Sequence, residues 1–177
     1  CALPIYVRIR FPTQDVRHVV KDILRLKLDV MIHEDYGFYS YAEHYVLGDV
    51  FVLASPDKEK GTLLELKGKG CRQMESYLLA QHRSWYDFLM DALVEGGVMK
   101  RLDLAINDMA GILDIPELTE KCNHEECVSV FRSFKSYRSG ELVRSNEQDR
   151  YGMGNTLYIG SLKSEVYFCI YEKDYEQ

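Results

Sequence analysis

No apolar run in the 177-residue chain is long enough to span a bilayer, which excludes an α-helical membrane segment within it. The opening Cys1-Ala-Leu-Pro has neither the charged nor the apolar region of a secretory signal, so the sequence predicts a cytoplasmic protein that does not engage membrane. Cysteine is sparse and irregular. Cys1, Cys71, Cys122, Cys127 and Cys169 are odd in number and form no framework, and reduced thiols are expected. Cys122-Asn-His-Glu-Glu-Cys127 gathers only three candidate zinc ligands, with no second pair at finger spacing, and zinc is not expected. The five histidines never pair at ligand spacing, so none is given a role. Basic charge is short as well: 22 Lys and Arg face 28 Asp and Glu, a net charge of -6. That balance argues against non-specific coating of nucleic acid, while leaving room for a local basic groove.

What is present is an ordinary soluble composition, 46% apolar and 28% charged, with 13 tyrosines that serve cores, interfaces and base stacking equally well. Ile5 to Phe11 alternates as a strand, and Thr13 is placed to cap a helix carrying Val16, Val19, Val20, Ile23 and Leu24. Tyr39 to Leu47 and Val50 to Ala54 read as strands joined by a Gly48-Asp49 turn. Thr62 to Lys67 is another strand. Helices are expected over Cys71 to Arg83 and, capped by Ser84, over Trp85 to Glu95. Met99 to Ile106 returns to strand. A helix entered at Pro116 runs toward Lys121, and Glu125 to Phe134 reads as a further helix or its continuation. Residues 140–154 are polar and suit a hairpin or mobile loop, and Asn155 to Ser161 and Val166 to Lys173 close the chain as strands. With no internal repeat or linker, the expectation is one α+β domain over residues 1–177, built on a largely antiparallel central sheet with helices.

Three of these strands split into an apolar and a chemical side. Val166, Phe168 and Ile170 face one way, and Tyr167, Cys169, Tyr171 and Lys173 the other. Leu64 and Leu66 oppose Glu65 and Lys67, while Leu102, Leu104 and Ile106 oppose Asp103, Ala105 and Asn107. An acid inside an apolar strand is costly to bury unless it is paired or binds a metal, so Glu65 and Asp103 need partners. If the three strands are neighbours, carboxylates, an amide, a phenol and a lysine meet on one patch. Such a set suits phosphodiester cleavage with Mg²⁺ or Mn²⁺, the phenol attacking phosphorus and lysine neutralising the equatorial oxygens. The competing reading makes Glu65 and Asp103 structural acids paired to Lys67, Arg101 or Lys100.

Arg101-Leu-Asp-Leu-Ala-Ile-Asn-Asp108, Leu64-Glu-Leu-Lys-Gly-Lys-Gly-Cys-Arg-Gln-Met-Glu75, and Gly160-Ser-Leu-Lys-Ser through Ile170-Tyr-Glu-Lys173 carry a family likeness. The chain resembles the replication initiators of rolling-circle plasmids, and more closely their relaxase relatives on conjugative elements. The likeness runs from about Phe38 to the last residue, with three motifs in the right order. It implies a nickase/relaxase-like fold and an enzyme that recognises an origin, cuts one strand and stays joined to the 5′ phosphate through tyrosine. Tyr171 matches the nucleophile and Lys173 the lysine that follows it. Glu65 and Asp103 match acidic positions taken as ligands of Mg²⁺ or Mn²⁺. Asn107 stands where the family often has Asp, and Asp108 is next to it. The His-apolar-His motif of the broader nickase class is absent, as it generally is in this family.

The implied partner is origin DNA, single-stranded or in a hairpin, with a homodimer or a helicase or accessory protein as the assemblies to test. Lys67, Lys69, Arg72 and Lys163 are the candidate DNA contacts, Lys163 beside Lys173 at the scissile phosphate. Lys67-Gly-Lys-Gly-Cys-Arg72 lacks P-loop spacing, and both a phosphate contact and a plain strand-to-helix turn stay open. Arg132, Lys135, Arg138, Arg144 and Arg150, interleaved with Phe134, Tyr137 and Tyr151, resemble a single-strand-binding surface, but Glu141, Glu147 and Asp149 dilute it and a solvated face is the expectation. Family members continue past the tyrosine strand, so the chain is read as a fragment truncated at its C-terminus. A non-catalytic DNA-binding or regulatory protein of the same fold is the alternative, and a structural protein that touches no nucleic acid ranks last.

Overall fold

The computed structural model describes residues 2–140 and 152–173, which fall into two compact units, Cys1–Asn107 and Asp108–Gln177. The first unit is built on a six-stranded antiparallel sheet with strand order β2-β3-β4-β5-β1-β6. Its strands are β1 (Ala2–Phe11), β2 (Ile32–Glu34), β3 (Glu43–Leu47), β4 (Val50–Ala54), β5 (Thr62–Lys67) and β6 (Val98–Ile106). Alternation decides which side is core. Val7, Ile9 and Phe11 of β1, Leu64 and Leu66 of β5, and Val50 and Val52 of β4 turn to one face and are almost wholly buried.

Helices seal that face. A short α1 (Val16–His18) runs into a π-helical turn, Val19–Ile23, whose Val19, Val20 and Ile23 are buried. Helix α2 (Lys69–Ala80) contributes Cys71, Met74 and Leu78, and α3 (Trp85–Val94) contributes Phe88 and Ala92. Ser84 caps α3 in a reciprocal capping box with Asp87. Burial pushes the Cys71 thiol up to about 11, so this cysteine is inert core.

The second unit is smaller. Helix α4 (Ile115–Asn123), entered through the Asp114 cap and Pro116, lays Ile115 and Cys122 on a three-stranded antiparallel sheet, β7-β8-β9. Those strands are β7 (Phe134–Gly140), β8 (Gly152–Ile159) and β9 (Phe168–Tyr171). Leu157 is fully buried against Ile115 and Cys122, and Leu118, Ile159 and Ile170 pack around it. Among the described residues, no helix is long and apolar enough to cross a membrane.

Several expectations are corrected. The α1 cap is Asp15, which accepts from the His18 amide, rather than Thr13. Strand β3 begins at Glu43 because Tyr39 and Ser40 are left-handed, at φ 56° and 62°, which a strand cannot contain. The helix expected over Glu125 to Phe134 does not form: Glu125 is left-handed at φ 60°, ends α4, and is followed by irregular chain up to β7. The apolar side of β6 is exposed, Leu104 at 52% and Ile106 at 76%, because β6 is the edge strand. Val166 lies outside β9 and is 55% exposed, so it is not core. The tyrosine strand also does not join the strands of Glu65 and Asp103. Strand β1 stands between β5 and β6, and β9 belongs to the other sheet. Strands β7 and β8 do pair, up to Gly140 and Gly152, while the predicted contributors Glu141, Arg144, Glu147, Asp149, Arg150 and Tyr151 lie outside the described residues.

Phe88 is fully buried and meets Trp85 edge-on at 6.0 Å. Phe88→Ala is expected to cost about 3–5 kcal/mol in a urea unfolding titration. A loss under about 1 kcal/mol would mean that α3 does not close the core.

Candidate active site

The polar side of β1 organises the site. Tyr6 and Arg8 alternate with the core residues Val7 and Ile9, so both stand on the open face of the larger sheet. Register then fixes their neighbours: Tyr6 lies between Lys67 and Asp103, and Arg8 lies between Glu65 and Arg101. Five of these six residues are charged, and Tyr6 is the exception.

Glu65 is only 3% exposed on this face. Its Oε1 accepts from the Tyr6 hydroxyl at 2.5 Å, the Arg8 guanidinium at 2.7 Å and the Tyr39 hydroxyl at 2.8 Å, while Lys67 Nζ is 3.3 Å from Oε2. Burial alone would push this carboxyl up. The donors from Tyr6, Arg8 and Tyr39, with the charge of Lys67, outweigh it and hold the carboxyl below its ordinary value. The same pairing drives the Tyr6 phenol up, through burial and then Glu65, so Tyr6 remains a protonated donor.

Tyr39 reaches Glu65 from the loop between β2 and β3. The Arg8 guanidinium lies 4.1 Å from the Tyr39 ring centre, and that of Arg101 lies 4.2 Å from the Tyr6 ring centre. Aromatic packing pins the loop to the sheet. Tyr36 meets the buried His44 edge-on at 5.0 Å, Phe38 lies tilted against it at 5.3 Å, and Phe38 meets Phe51. His44 Nδ1 donates to the Tyr36 carbonyl at 2.6 Å.

Asp103 is on the same face and is gripped by Arg101 through Nε at 2.9 Å and Nη2 at 2.6 Å. Asn107 follows the end of β6 and is exposed. The Asp108 carboxylate is occupied by backbone amides, accepting from Leu113 at 2.7 Å and Ala110 at 3.2 Å, and these bonds lower its pKa. Among the described residues, no three His, Cys, Asp or Glu side chains are gathered to hold a metal ion. Cys122 and Cys127 do approach, with sulfurs 3.3 Å apart, as two thiols.

Lys69 and Arg72 are exposed on the first turn of α2. Gly70 between them has a packing reason, since a side chain there would collide with the Asp49 carbonyl in the β3–β4 turn. In the second unit, Tyr171 ends β9 opposite Thr156 and is 44% exposed, with Lys173 exposed two residues on. Lys163 is exposed in the turn before β9. The polar side of the small sheet also carries Tyr137 and Tyr158, whose rings meet edge-on at 5.7 Å.

Sequence reasoning missed Tyr6, Arg8 and Tyr39. The first two were detectable, because Ile5-Tyr-Val-Arg-Ile-Arg has the same split as the other strands. Tyr39 gave no local signal, since its place depends on a loop folding back over a strand distant in sequence.

Comparison with known proteins places these features in context. Residues 5–91 match the family described as Rolling Circle replication initiation protein N-terminal domain, and residues 97–177 match Replication initiation factor. A candidate DNA relaxase of Bacillus subtilis (strain 168), NicK, is 43% identical over 173 residues, covering 97% of this chain and 48% of that protein. The chain thus spans about half the length of that relative. The solved rolling circle replication initiator protein of Geobacillus stearothermophilus superposes with a TM-score of 0.73 at 25% identity, over 97% of this chain and 66% of that one.

A carboxyl whose folded pKa lies below its unfolded one stabilises the fold above the unfolded value, near 4.5 for Glu65, and that contribution vanishes as pH falls through the folded value. Glu65→Gln is therefore expected to lose about 2 kcal/mol at neutral pH and to show a shallower acid limb in urea titrations repeated from pH 7 to 3. Parallel curves for the two proteins would show that Glu65 is not held ionised.

Proposed function

Because this chain belongs to the rolling-circle replication initiator and relaxase family, we propose that it nicks one strand of origin DNA and keeps the 5′ phosphate as an ester of Tyr171. The observation that carries this reading is the exposed phenol of Tyr171 on the open side of its sheet, at the position that matches the family nucleophile. The Tyr171 oxygen forms a bond to phosphorus, the bond from phosphorus to the 3′ oxygen breaks, and that oxygen leaves as a free 3′ hydroxyl with the phenol's proton. The ester conserves the bond energy, so the reverse step can reseal or transfer the strand. Lys173, two residues past Tyr171, and Lys163, in the turn before β9, neutralise charge on the phosphate oxygens. Lys67, Lys69 and Arg72 hold the DNA backbone by charge, without reading bases. The product starts rolling-circle replication or conjugative transfer.

Glu65 and Asp103 suit a hard dication chemically, since Mg²⁺ and Mn²⁺ take carboxylate oxygens and complete their shells with water and substrate phosphate rather than an all-protein cage. When bound, the ion would polarise a phosphoryl oxygen. Asn107 rather than Asp108 would serve as a third donor, because the Asp108 oxygens are committed to amides. The chain's own part is to present both carboxylates on one sheet face, with Arg8 beside Glu65 and Arg101 beside Asp103.

A second reading, a DNA-binding protein of the same fold without turnover, is favoured by one observation: each carboxylate is already neutralised by an arginine. One experiment separates the two. The protein is incubated with 3′-labelled single-stranded oligonucleotides tiling the DNA around its own gene, with Mg²⁺ or Mn²⁺, and resolved under denaturing conditions. A labelled protein band is expected, lost in Tyr171→Phe and on chelation of the metal. A band that persists in Tyr171→Phe would reject the nucleophile, and binding without any band would favour the non-catalytic reading.

A further inference from the structure

On the antiparallel sheet of the second unit, residues directly opposite one another share a face. Tyr137 lies opposite Thr156, which lies opposite Tyr171, and Lys135 lies opposite Tyr158, which lies opposite Cys169. These six positions form the open side, since Leu157 and Ile170 on the other side pack with α4. None of them is acidic, in a chain whose net charge is -6. Tyr137 is 58% exposed and Tyr171 44%, and Lys135 is exposed. The rings of Tyr137 and Tyr158 are perpendicular and 5.7 Å apart, so they hold one another upright on the sheet. Tyr158 is also tied across the ladder to Cys169, which raises its pKa and keeps the ring neutral.

We propose that this face is a stacking platform for single-stranded DNA, with bases laid on Tyr137 and Tyr158 and a phosphate held by Lys135, next to the nucleophile. The choice of occupant rests on the reading of Tyr171 given above. A phenol that attacks a phosphodiester must meet the strand, and the nucleotides flanking that phosphate then pass over whatever shares its face. Upright aromatic rings with a lysine and no acid match unpaired bases and their backbone in both stacking and charge. Stacking is tolerant of base identity, so the platform orients the strand and leaves recognition of the origin to other contacts.

The test uses the protein with Tyr171→Phe, so that only reversible binding is read, and an oligo(dT) probe of about 12 nucleotides with 2-aminopurine at single positions. Quenching of 2-aminopurine on binding is expected. Tyr137→Leu and Tyr158→Leu should each weaken binding by about 5- to 100-fold and relieve quenching at one position. Tyr137→Phe and Tyr158→Phe, which keep the rings, should bind as the parent does. Lys135→Gln should lower the slope of log affinity against log salt by about one unit. Leucine variants that keep the parent's circular dichroism and its affinity would overturn the proposal, as would phenylalanine variants that lose as much as leucine. Sedimentation gives a third check: a dimer in the parent, lost in the leucine variants, would assign the face to a second copy instead. Because these readings concern binding in a protein without the Tyr171 hydroxyl, they fail or succeed separately from the covalent adduct.

Discussion

An ionised carboxylate buried in a β-sheet is the constraint on which the first unit depends. Glu65 sits where both neighbours in its strand, Leu64 and Leu66, belong to the core, and solvent does not reach it. An isolated charge there is untenable, so its surroundings are obliged to supply donors. Strand β1 supplies two of them, because Tyr6 and Arg8 fall on the correct side of the pleat. The third must come from elsewhere, and the loop that brings Tyr39 contains two consecutive left-handed residues without glycine. Each such residue costs about 1–2 kcal/mol. The phenol's bond to Glu65, the guanidinium on the Tyr39 ring and the aromatic packing on His44 together offset that cost. Loop, strand and carboxylate thus stand or fall together.

The same arrangement sets the electrostatics of the open face. Two carboxylates, Glu65 and Asp103, are matched there by three cationic side chains, Arg8, Lys67 and Arg101. The local balance is positive although the chain as a whole is acidic, which is how a protein of this composition can still attract a polyanion. On the proposed reading a dication would join the carboxylates and add further positive charge. Metal and DNA phosphate would then each favour the binding of the other, as thermodynamic linkage requires.

How far the sequence could be read follows from how local each feature is. Strands β4 and β5 were legible to the residue, because Gly48-Asp49 and Gly68 punctuate clean apolar runs. Helix α3 was legible from Ser84 and its apolar spacing. Alternation singled out Glu65 and Asp103 as acids in need of partners, and the family likeness attached expected roles to them and to Tyr171. Features set by distant contacts were hidden. The pairing of β1 with both β5 and β6 turns Tyr6 and Arg8 into partners of Glu65, and nothing near Arg8 announces that. The three-residue strand β2 is too short to show a period. The division into two sheets was concealed because β9, with only four residues, reads like any other strand until its partner is known.

Glu65 in the first unit and Tyr171 in the second are held in different ways, and the difference follows from the neighbours of each within its own unit. Glu65 is fixed by its own four contacts, so its oxygens are placed directly. Among the described residues Tyr171 has no comparable set of donors, and its position is inherited from Ile170, which packs beside Leu157, and from the ladder to Thr156. On the proposed reading, a phenol held through the backbone in this way is left to meet a phosphate. The acid cannot be treated likewise, because any oxygen left without a donor would raise its pKa and discharge it. Loosening the small core under β9 therefore displaces the phenol, whereas cutting a donor from Glu65 changes the charge of the larger sheet.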